Sequence, residues 1–216
     1  PVRTGRAEAI RLYLVTDPVL HRGRGVVPTC REALEAGVRF VQLRNKTAST
    51  KQLLEEACKL KDLCDLYGAW FLVNDRVDIA MAAGARGVHL GQDDMPADMA
   101  RAILGPEAVI GVSVRTLEEA RKAAAMGADY MAANLVFPTE TKKNLGAPLG
   151  LAMVKELSSA SSLPLIAIGG IKPENTRLVM NAGCSGVAVV SGIMNAESPG
   201  HEVRRFLRAL DPEKVL

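Results

Sequence analysis

Short apolar segments alternate with helical stretches along the chain, and no other feature restricts the fold as strongly. We predict eight strands, at residues 12–15, 38–43, 69–73, 87–90, 108–112, 129–136, 164–168 and 186–190. Most are apolar nearly throughout, which is typical of strands in a parallel sheet buried on both faces. Glycines end several of the intervening helices, at Gly37, Gly84, Gly127 and Gly183. Eight βα units in 216 residues predict an α/β fold, a compact (β/α)8 (TIM) barrel.

The predicted domain organisation is a single barrel domain over residues 1–216, with residues 1–11 as an N-terminal extension. An open, doubly wound sheet is the alternative arrangement of alternating strands and helices. That fold favours a Gly-x-Gly-x-x-Gly turn after the first strand, whereas this chain has Thr16, Asp17 and Pro18 there. We therefore favour the closed barrel.

The charge balance argues against polyanionic partners. Lys and Arg number 27 and Asp and Glu number 24, and the net charge of +3 is too small to predict binding to nucleic acid or an anionic membrane. No apolar run approaches the length of a membrane span. The four cysteines (Cys30, Cys58, Cys64 and Cys184) lack metal-ligand spacing and predict free thiols in a reducing, cytoplasmic environment. A homo-oligomer is compatible with the sequence.

Polar residues cluster where the predicted strands end, and in barrels of this kind the chemistry lies at those carboxyl ends. The opposite loops are mostly Ala-Gly joints, so one face of the barrel is distinguished from the other. The polar ends comprise Thr16 and Asp17; Gln42, Arg44, Asn45 and Lys46; Asn74 and Asp75; Gln92, Asp93 and Asp94; Ser113; Thr139, Glu140, Thr141 and Lys142; Gly169 and Gly170; and Ser191 and Gly192.

Acidic residues follow the third and fourth strands. Asp75 comes directly after one strand, and Asp93 and Asp94 come shortly after the next. If these strands are parallel neighbours, Asp75 and one of the two later aspartates lie over the same edge of the sheet. Mg²⁺ binds few carboxylates and takes phosphate oxygens as further ligands. The sequence therefore predicts a Mg²⁺ site at this edge.

Basic and glycine-rich segments predict two phosphate sites on the same face. Arg44, Lys46 and Lys142 suit a pyrophosphate whose oxygens a metal bridges. The Gly169-Gly170 turn and residues 190–192 offer backbone N–H groups to a monophosphate, as in other barrels. Thr139 and Thr141 add hydroxyls between the two sites. Small phosphorylated substrates are the partners that this pattern indicates.

Each of these residues also has a structural interpretation. Asp75 could cap the following helix. Asp78 is better explained as an acidic residue in the first turn of that helix. The remaining structural interpretations are a packed or surface-facing His89, solvated or structural Arg76 and Lys143, a turn residue at Ser113 and a core Trp70.

Five motifs together resemble the thiamin-phosphate synthase (thiamine-phosphate pyrophosphorylase) family over about residues 12–193. They are Gln42-Leu43-Arg44-Asn45-Lys46, Val73-Asn74-Asp75-Arg76-Val77-Asp78, residues 87–94 (GVHLGQDD), residues 138–143 (PTETKK) and Ile168-Gly169-Gly170-Ile171. The resemblance implies a transferase of thiamine biosynthesis. It would join a hydroxymethylpyrimidine pyrophosphate to a thiazole phosphate, carboxylated or not, and release pyrophosphate.

The resemblance also implies roles for residues at matching positions. Asp75 and Asp94 would bind Mg²⁺. The pyrimidine pyrophosphate would be bound by Gln42, Arg44, Lys46, Asn74, Ser113 and Lys142, of which Arg44, Lys46, Ser113 and Lys142 would be catalytic. The thiazole phosphate would be bound by Thr139, Glu140, Thr141, Gly170, Val190 and Ser191. Two departures are visible: Asn45 stands where the family often has Glu, and residues 132–135 replace a Gly-x-Gly-Pro run.

The implied reaction needs stabilisation of charge more than acid or base catalysis. The aminopyrimidine can donate electrons to a cation that develops as pyrophosphate leaves, and Mg²⁺ with Arg44, Lys46 and Lys142 would stabilise the leaving group. A thiazole tautomerase-like isomerase, the first alternative, would not need Asp75 and Asp94 together with Lys46 and Lys142. A non-catalytic regulator that binds phosphate ligands is a second alternative.

Overall fold

The computed structural model describes residues 10–139 and 146–211, and the structural statements below concern those residues. Eight parallel strands form one closed barrel in sequence order, because β8 pairs with β1 as well as with β7. The strands are β1 (Leu12–Val15), β2 (Phe40–Leu43), β3 (Trp70–Asn74), β4 (Gly87–Leu90), β5 (Val109–Val114), β6 (Tyr130–Asn134), β7 (Leu165–Ile168) and β8 (Gly186–Val189). The predicted (β/α)8 barrel is confirmed, and the open doubly wound sheet is wrong.

Helices alternate with the strands. They are α1 (Val26–Glu35), α2 (Thr50–Leu66), α3 (Val77–Ala82), α4 (Ala97–Leu104), α5 (Leu117–Ala125), α6 (Gly150–Ser159), α7 (Pro173–Asn181), α8 (Ser191–Met194) and α9 (Pro199–Leu210). A capping box formed by Thr116 and Glu119 begins α5. The sequence does not predict the single turn α8. None of the helices in the described ranges is long and apolar enough to cross a membrane.

Some strand boundaries differ from the predicted ones, because backbone groups near the strand ends belong to helix ends and turns. β2 begins at Phe40, since the N–H of Val38 donates to Ala33 O at 3.0 Å in the turn that ends α1. β6 ends at Asn134, and the peptide bond from Asn134 to Leu135 is cis. β5 extends to Val114, so Ser113 belongs to a strand rather than to the turn after it.

The core has two layers, because side chains alternate between the two faces of each strand. The outer layer lies between the strands and the helices and contains most of the buried aliphatic residues. The inner layer fills the barrel with nine buried side chains: Ile10, Tyr13, Val15, Phe40, Leu72, Val109, Tyr130, Ile166 and Ala188. Trp70 is partly buried against this inner layer, with the Arg86 guanidinium 5.2 Å from its ring centroid.

The predicted N-terminal extension is described at Ile10 and Arg11, and residues 1–9 lie outside the described chain. Ile10 is buried with the inner layer. Arg11 Nη2 donates to Leu210 O at 2.7 Å and to Asp211 Oδ1 at 2.6 Å. These hydrogen bonds join the start of β1 to the end of α9.

All four cysteines are free, as predicted. Cys58 is exposed, whereas the other three are buried. Burial raises the pKa of Cys64 and of Cys184 to about 12, so these thiols stay protonated at neutral pH. They pack as small apolar groups.

Candidate active site

The predicted site residues gather at the carboxyl ends of the strands. Gln42 is next to last in β2, Asn74 ends β3 and Ser113 is next to last in β5. Arg44, Lys46, Asp75 and Asp94 follow in the loops after β2, β3 and β4. Because every strand of the barrel is parallel to its neighbours, these loops lie at the same end.

Asp75 is held by its backbone and by a lysine. Its N–H donates to His89 O at 2.9 Å, and its φ of 63° is in the left-handed region. Lys46 Nζ lies 3.0 Å from Asp75 Oδ2. The N-cap position of α3 is occupied by Arg76, and no side chain caps that helix. The capping interpretation of Asp75 is therefore wrong, and its carboxylate faces Lys46 instead.

Asp94, rather than Asp93, approaches Asp75. The Asp75 carboxyl group is near enough to Asp94 to raise the pKa of Asp94, whereas Asp93 is exposed. Asp94 Oδ2 also accepts a 2.6 Å hydrogen bond from the N–H of Gly91. The pKa of Asp94 is raised, first because burial disfavours its charged form and then because of the neighbouring Asp75 carboxyl group. We call Asp75 and Asp94 the acidic pair.

The acidic pair fits a hard divalent cation that keeps several ligand positions for other oxygens. Two carboxylates supply the donors that Mg²⁺ prefers. Within residues 10–139 and 146–211, no group of three or more His, Cys, Asp or Glu side chains could hold a metal ion. A cation bound by the pair would therefore take its remaining ligands from water or from phosphate oxygens.

The pKa of Asp94 gives a prediction for the stability of the metal-free protein. A raised pKa means that the folded state binds this proton more tightly than the unfolded state does. The contribution of Asp94 to the free energy of unfolding therefore falls as the pH rises above about 4. With EDTA present, Asp94→Asn should be more stable than the unchanged protein at pH 8, and the difference should shrink towards pH 4. Urea unfolding at the two pH values measures it, with the exposed Asp93→Asn as the control. A variant that is less stable at pH 8 would contradict this account.

The loop after β2 is organised by short polar contacts. The N–H of Arg44 donates to Thr16 Oγ1 at 2.9 Å, and Arg44 Nη1 lies 3.9 Å from Asp17 Oδ2. Asn45 Oδ1 accepts hydrogen bonds from the N–H groups of Thr47 and Ala48, at 3.3 and 3.1 Å. Asn45 therefore shapes the turn that leads into α2. Arg44 and Lys46 are its two neighbours in the sequence.

Buried polar side chains lie beneath these loops, inside the barrel. His89 is packed there rather than at the surface, with Nε2 2.9 Å from Ser113 Oγ and Nδ1 2.9 Å from Tyr130 OH. Tyr130 OH lies 2.9 Å from Tyr13 OH, which also bonds to Gln42 Nε2. Sequence reasoning misses Tyr13 and Tyr130 as site residues. Their only signal is a polar tip on a residue at an inward-facing strand position.

A cavity of about 810 Å³ opens near the ends of β7 and β8. Gly169 and Gly170 line it with φ values of 97° and 66°, and a Cβ at Gly170 would lie 2.6 Å from Pro138 O. Asn175 Nδ2 holds this turn by donating to Gly170 O at 2.9 Å. Other residues around the cavity are Leu20, Asn134, Thr139, Lys172, Val190, Ser191, Gly192 and Asn195. We call this space the phosphate cavity, since it contains the glycine turn and residues 190–192 predicted to bind a monophosphate.

Part of the predicted site falls on residues 140–145. Glu140, Thr141, Lys142 and Lys143 lie outside the described residues, and their roles stay predictions. Arg115 bonds to both flanks of this segment, with Nη1 2.6 Å from Asn134 O and Nη2 2.8 Å from Ala147 O. Sequence reasoning misses Arg115, because nothing in the sequence indicates that its guanidinium bonds to carbonyl groups on both flanks of residues 140–145.

Arg76 and Asp78 form a surface pair away from the acidic pair. Arg76 Nη2 lies 2.6 Å from Asp78 Oδ2 and 3.3 Å from Thr50 Oγ1. The Arg76 guanidinium lowers the pKa of Asp78. The structural interpretations of these two residues agree with this geometry.

Comparisons with known proteins bear on the same region of the chain. A family model described as "Thiamine monophosphate synthase" matches residues 12–193. The thiamine-phosphate synthase of Chloroflexus aurantiacus is 45% identical over 208 residues, covering 95% of this chain and 96% of the relative. That of Shouchella clausii is 42% identical over 201 residues, covering 93% and 96%.

A solved structure is similar over the same length. The thiamine phosphate pyrophosphorylase from Pyrococcus furiosus is 38% identical, with a TM-score of 0.87 and coverage of 95% of this chain and 98% of that chain. The family model spans all eight strands, the acidic pair and every residue named around the phosphate cavity except Asn195. The chain belongs to the thiamine monophosphate synthase family.

Proposed function

We propose that this protein is a thiamine-phosphate synthase. It condenses 4-amino-2-methyl-5-(diphosphooxymethyl)pyrimidine with 4-methyl-5-(2-phosphoethyl)thiazole, or its carboxylated form, to give thiamine phosphate and pyrophosphate. One observation carries the proposal: an acidic pair facing Lys46 and a separate phosphate cavity open on the same end of one barrel. The names of its relatives give independent support.

Mg²⁺ is the metal that the acidic pair suits. Asp75 and Asp94 would hold it, and the oxygens of a bound pyrophosphate would complete its ligand set. When bound, Mg²⁺ would neutralise charge on the pyrophosphate and so make it a better leaving group. Lys46 lies against Asp75 and would contact the same pyrophosphate.

The basic residues act on the charge that the leaving group gains. Lys46 contacts Asp75, and Arg44 lies two residues earlier in the same loop, near Asp17; Lys142 joins them by resemblance. Fixed cations at this position stabilise the departing pyrophosphate more than they stabilise the substrate, which lowers the barrier to departure. Gln42, Asn74 and Ser113 bind the pyrimidine, since they lie at the ends of β2, β3 and β5 that surround the mouth of the barrel.

The phosphate cavity positions the nucleophile. Gly170, Val190, Ser191 and Thr139 line it and hold the thiazole phosphate. Glu140 and Thr141 would join them by resemblance. The thiazole nitrogen attacks as a free electron pair, so the step needs no base to remove a proton. Correct placement of that nitrogen supplies much of the rate enhancement.

Pyrophosphate and Mg²⁺ should stabilise the protein together. If the metal joins the acidic pair to a pyrophosphate, each ligand binds better in the presence of the other. We expect the melting temperature to rise more with both ligands than the sum of the two separate rises. Inorganic monophosphate with and without Mg²⁺ is the control. Stabilisation by monophosphate alone would instead favour the isomerase or the phosphate-binding regulator.

The decisive test is product formation. Incubation with both substrates and Mg²⁺ should yield thiamine phosphate and pyrophosphate in equal amounts, measured by chromatography and by a coupled pyrophosphate assay. Omission of either substrate should abolish both products. If the protein consumes neither substrate under these conditions, the proposed function is wrong.

A further inference from the structure

A continuous series of hydrogen bonds runs through the inside of the barrel and joins two proposed pyrimidine-binding residues. Gln42 Nε2 donates to Tyr13 OH, and Tyr13 OH lies 2.9 Å from Tyr130 OH. Tyr130 OH lies 2.9 Å from His89 Nδ1, and His89 Nε2 lies 2.9 Å from Ser113 Oγ. We call these five residues the buried relay. All except Ser113 are buried, with exposed fractions of 7% or less.

The direction of the buried relay follows from its first hydrogen bond. Since Tyr13 OH accepts from Gln42, its own proton is directed to Tyr130. Tyr130 then donates to His89 Nδ1, so a neutral imidazole carries its proton on Nε2 and donates it to Ser113 Oγ. Burial raises the pKa of Tyr13 and of Tyr130, and each phenol therefore keeps the single proton that this order requires.

The barrel is built to keep Tyr130 in this position. Gly111 lies beside Tyr130 on the neighbouring strand, and a Cβ at Gly111 would lie 2.1 Å from Tyr130 Cζ and 2.4 Å from its hydroxyl oxygen. The ring of Tyr130 also packs edge-on against Tyr13 and Phe40, with centroid distances of 6.0 and 5.9 Å. The relay is therefore fixed by packing as well as by hydrogen bonds.

We propose that Tyr13, Tyr130 and His89 are positioning residues that fix the donor and acceptor pattern presented to the pyrimidine by Gln42 and Ser113. This inference rests on the proposed function. Gln42 is left with Oε1 as an acceptor and one N–H as a donor, and Ser113 is left with its O–H as a donor. A 4-aminopyrimidine presents the matching edge, an amino donor beside a ring-nitrogen acceptor.

The relay selects against a 4-oxopyrimidine, because that ring presents the opposite order, an oxygen acceptor beside an N–H donor. If the carboxamide of Gln42 were free to rotate by 180°, it could match the 4-oxopyrimidine. Rotation of Gln42 would place Oε1 against Tyr13, and every hydrogen bond from Tyr13 to Ser113 would have to reverse. Selectivity for the amino group therefore comes from residues that do not touch the pyrimidine.

Removing one hydroxyl tests this selectivity. In Tyr130→Phe, Tyr13 loses the acceptor for its proton and can either donate to Gln42 or accept from it. The ligands are the monophosphates of 2-methyl-5-hydroxymethylpyrimidine that carry a 4-amino or a 4-oxo group, which lack the pyrophosphate leaving group. The ratio of the dissociation constant of the 4-oxo ligand to that of the 4-amino ligand, measured by calorimetry, should fall by about tenfold or more. The matched control is Tyr67→Phe, which removes an exposed hydroxyl bonded to Glu35.

The tautomer of His89 gives a second measurement, which needs no ligand and leaves the buried relay intact. The chain has three histidines, so ¹⁵N-histidine NMR signals can be assigned by replacing His21 and His201. The relay predicts that His89 is protonated on Nε2 and unprotonated on Nδ1. A signal from the Nδ1–H tautomer, or from a doubly protonated ring, would overturn the inferred direction.

The two measurements separate this inference from the proposed function. An unchanged ratio of dissociation constants in a folded Tyr130→Phe protein would overturn the inference while leaving the synthase activity in place. If the unchanged protein binds neither pyrimidine, the proposed function and the selectivity both fail. The His89 tautomer would still decide the direction of the buried relay in that case.

Discussion

Asp75→Asn is expected to lower the turnover number for thiamine phosphate formation by about 100-fold and to raise the Mg²⁺ concentration needed for half-maximal rate. The substitution removes one of two carboxylates from the acidic pair and keeps the size of the side chain. Asn also tolerates the left-handed backbone at this position, where φ is 63°, better than most residues do. The effect should therefore report the lost charge and not a distorted loop. Initial rates over a Mg²⁺ titration measure it.

The matched control is Asp78→Asn. Asp78 lies three residues further along the chain, is 61% exposed and pairs with Arg76 on the surface. Its substitution removes the same charge from the same helix region without touching the acidic pair, so we expect the rate and the Mg²⁺ requirement to stay within about twofold. If the two variants behave alike, Asp75 has no special relation to the metal.

Gly170→Ala is expected to weaken thiazole phosphate binding selectively. A Cβ at this position would lie 2.6 Å from Pro138 O and 2.8 Å from Phe137 Cβ, so the turn after β7 or the segment before Thr139 must move. Both line the phosphate cavity. We expect the KM for the thiazole phosphate to rise by about 10- to 100-fold, because small displacements of a binding group have effects of this size. The KM for the pyrimidine pyrophosphate should stay close to its original value.

Gly150→Ala separates the steric effect from backbone strain. Gly150 has a φ of 71°, similar to that of Gly170, but no atom lies within 4 Å of a Cβ built there. Alanine at either position costs about 1 kcal/mol of stability for the left-handed backbone. Only Gly170→Ala should change the kinetics for the thiazole phosphate. An equal rise in KM for both variants would show that general destabilisation is the cause.

The sequence predicts the architecture well, because the architecture follows from periodicity, and it predicts where the residues of the candidate site lie, because they follow directly after strands. Alternating strands and helices predict the barrel, and the polar strand ends predict which face carries Asp75, Asp94, Arg44 and Lys46. The spacing of Asp93 and Asp94 does not decide which of them approaches Asp75. That choice depends on the loop after β4, where the N–H of Gly91 holds the Asp94 carboxylate at 2.6 Å.

The interior of the barrel is the part that the sequence predicts least well. Tyr13, His89 and Tyr130 lie on strands β1, β4 and β6, which are not neighbours in the barrel. Their hydrogen bonds form across the interior and depend on the barrel diameter and on the missing side chain at Gly111. A single sequence gives no information on such distances. It therefore favours a packed or surface position for His89 and is silent about its partners.

The pairing of β1 with β8 has a consequence for the order in which the two halves of the site can form. The acidic pair comes from the loops after β3 and β4, which are neighbours both in sequence and in the barrel. The phosphate cavity instead spans the seam between β1 and β8, with Leu20 on one side and Asn195 on the other. Contacts between segments so distant in sequence form slowly during folding. The Leu20 side of the cavity is therefore complete only after the ring of strands has closed, whereas a local pair of strands is enough to bring Asp75 and Asp94 together.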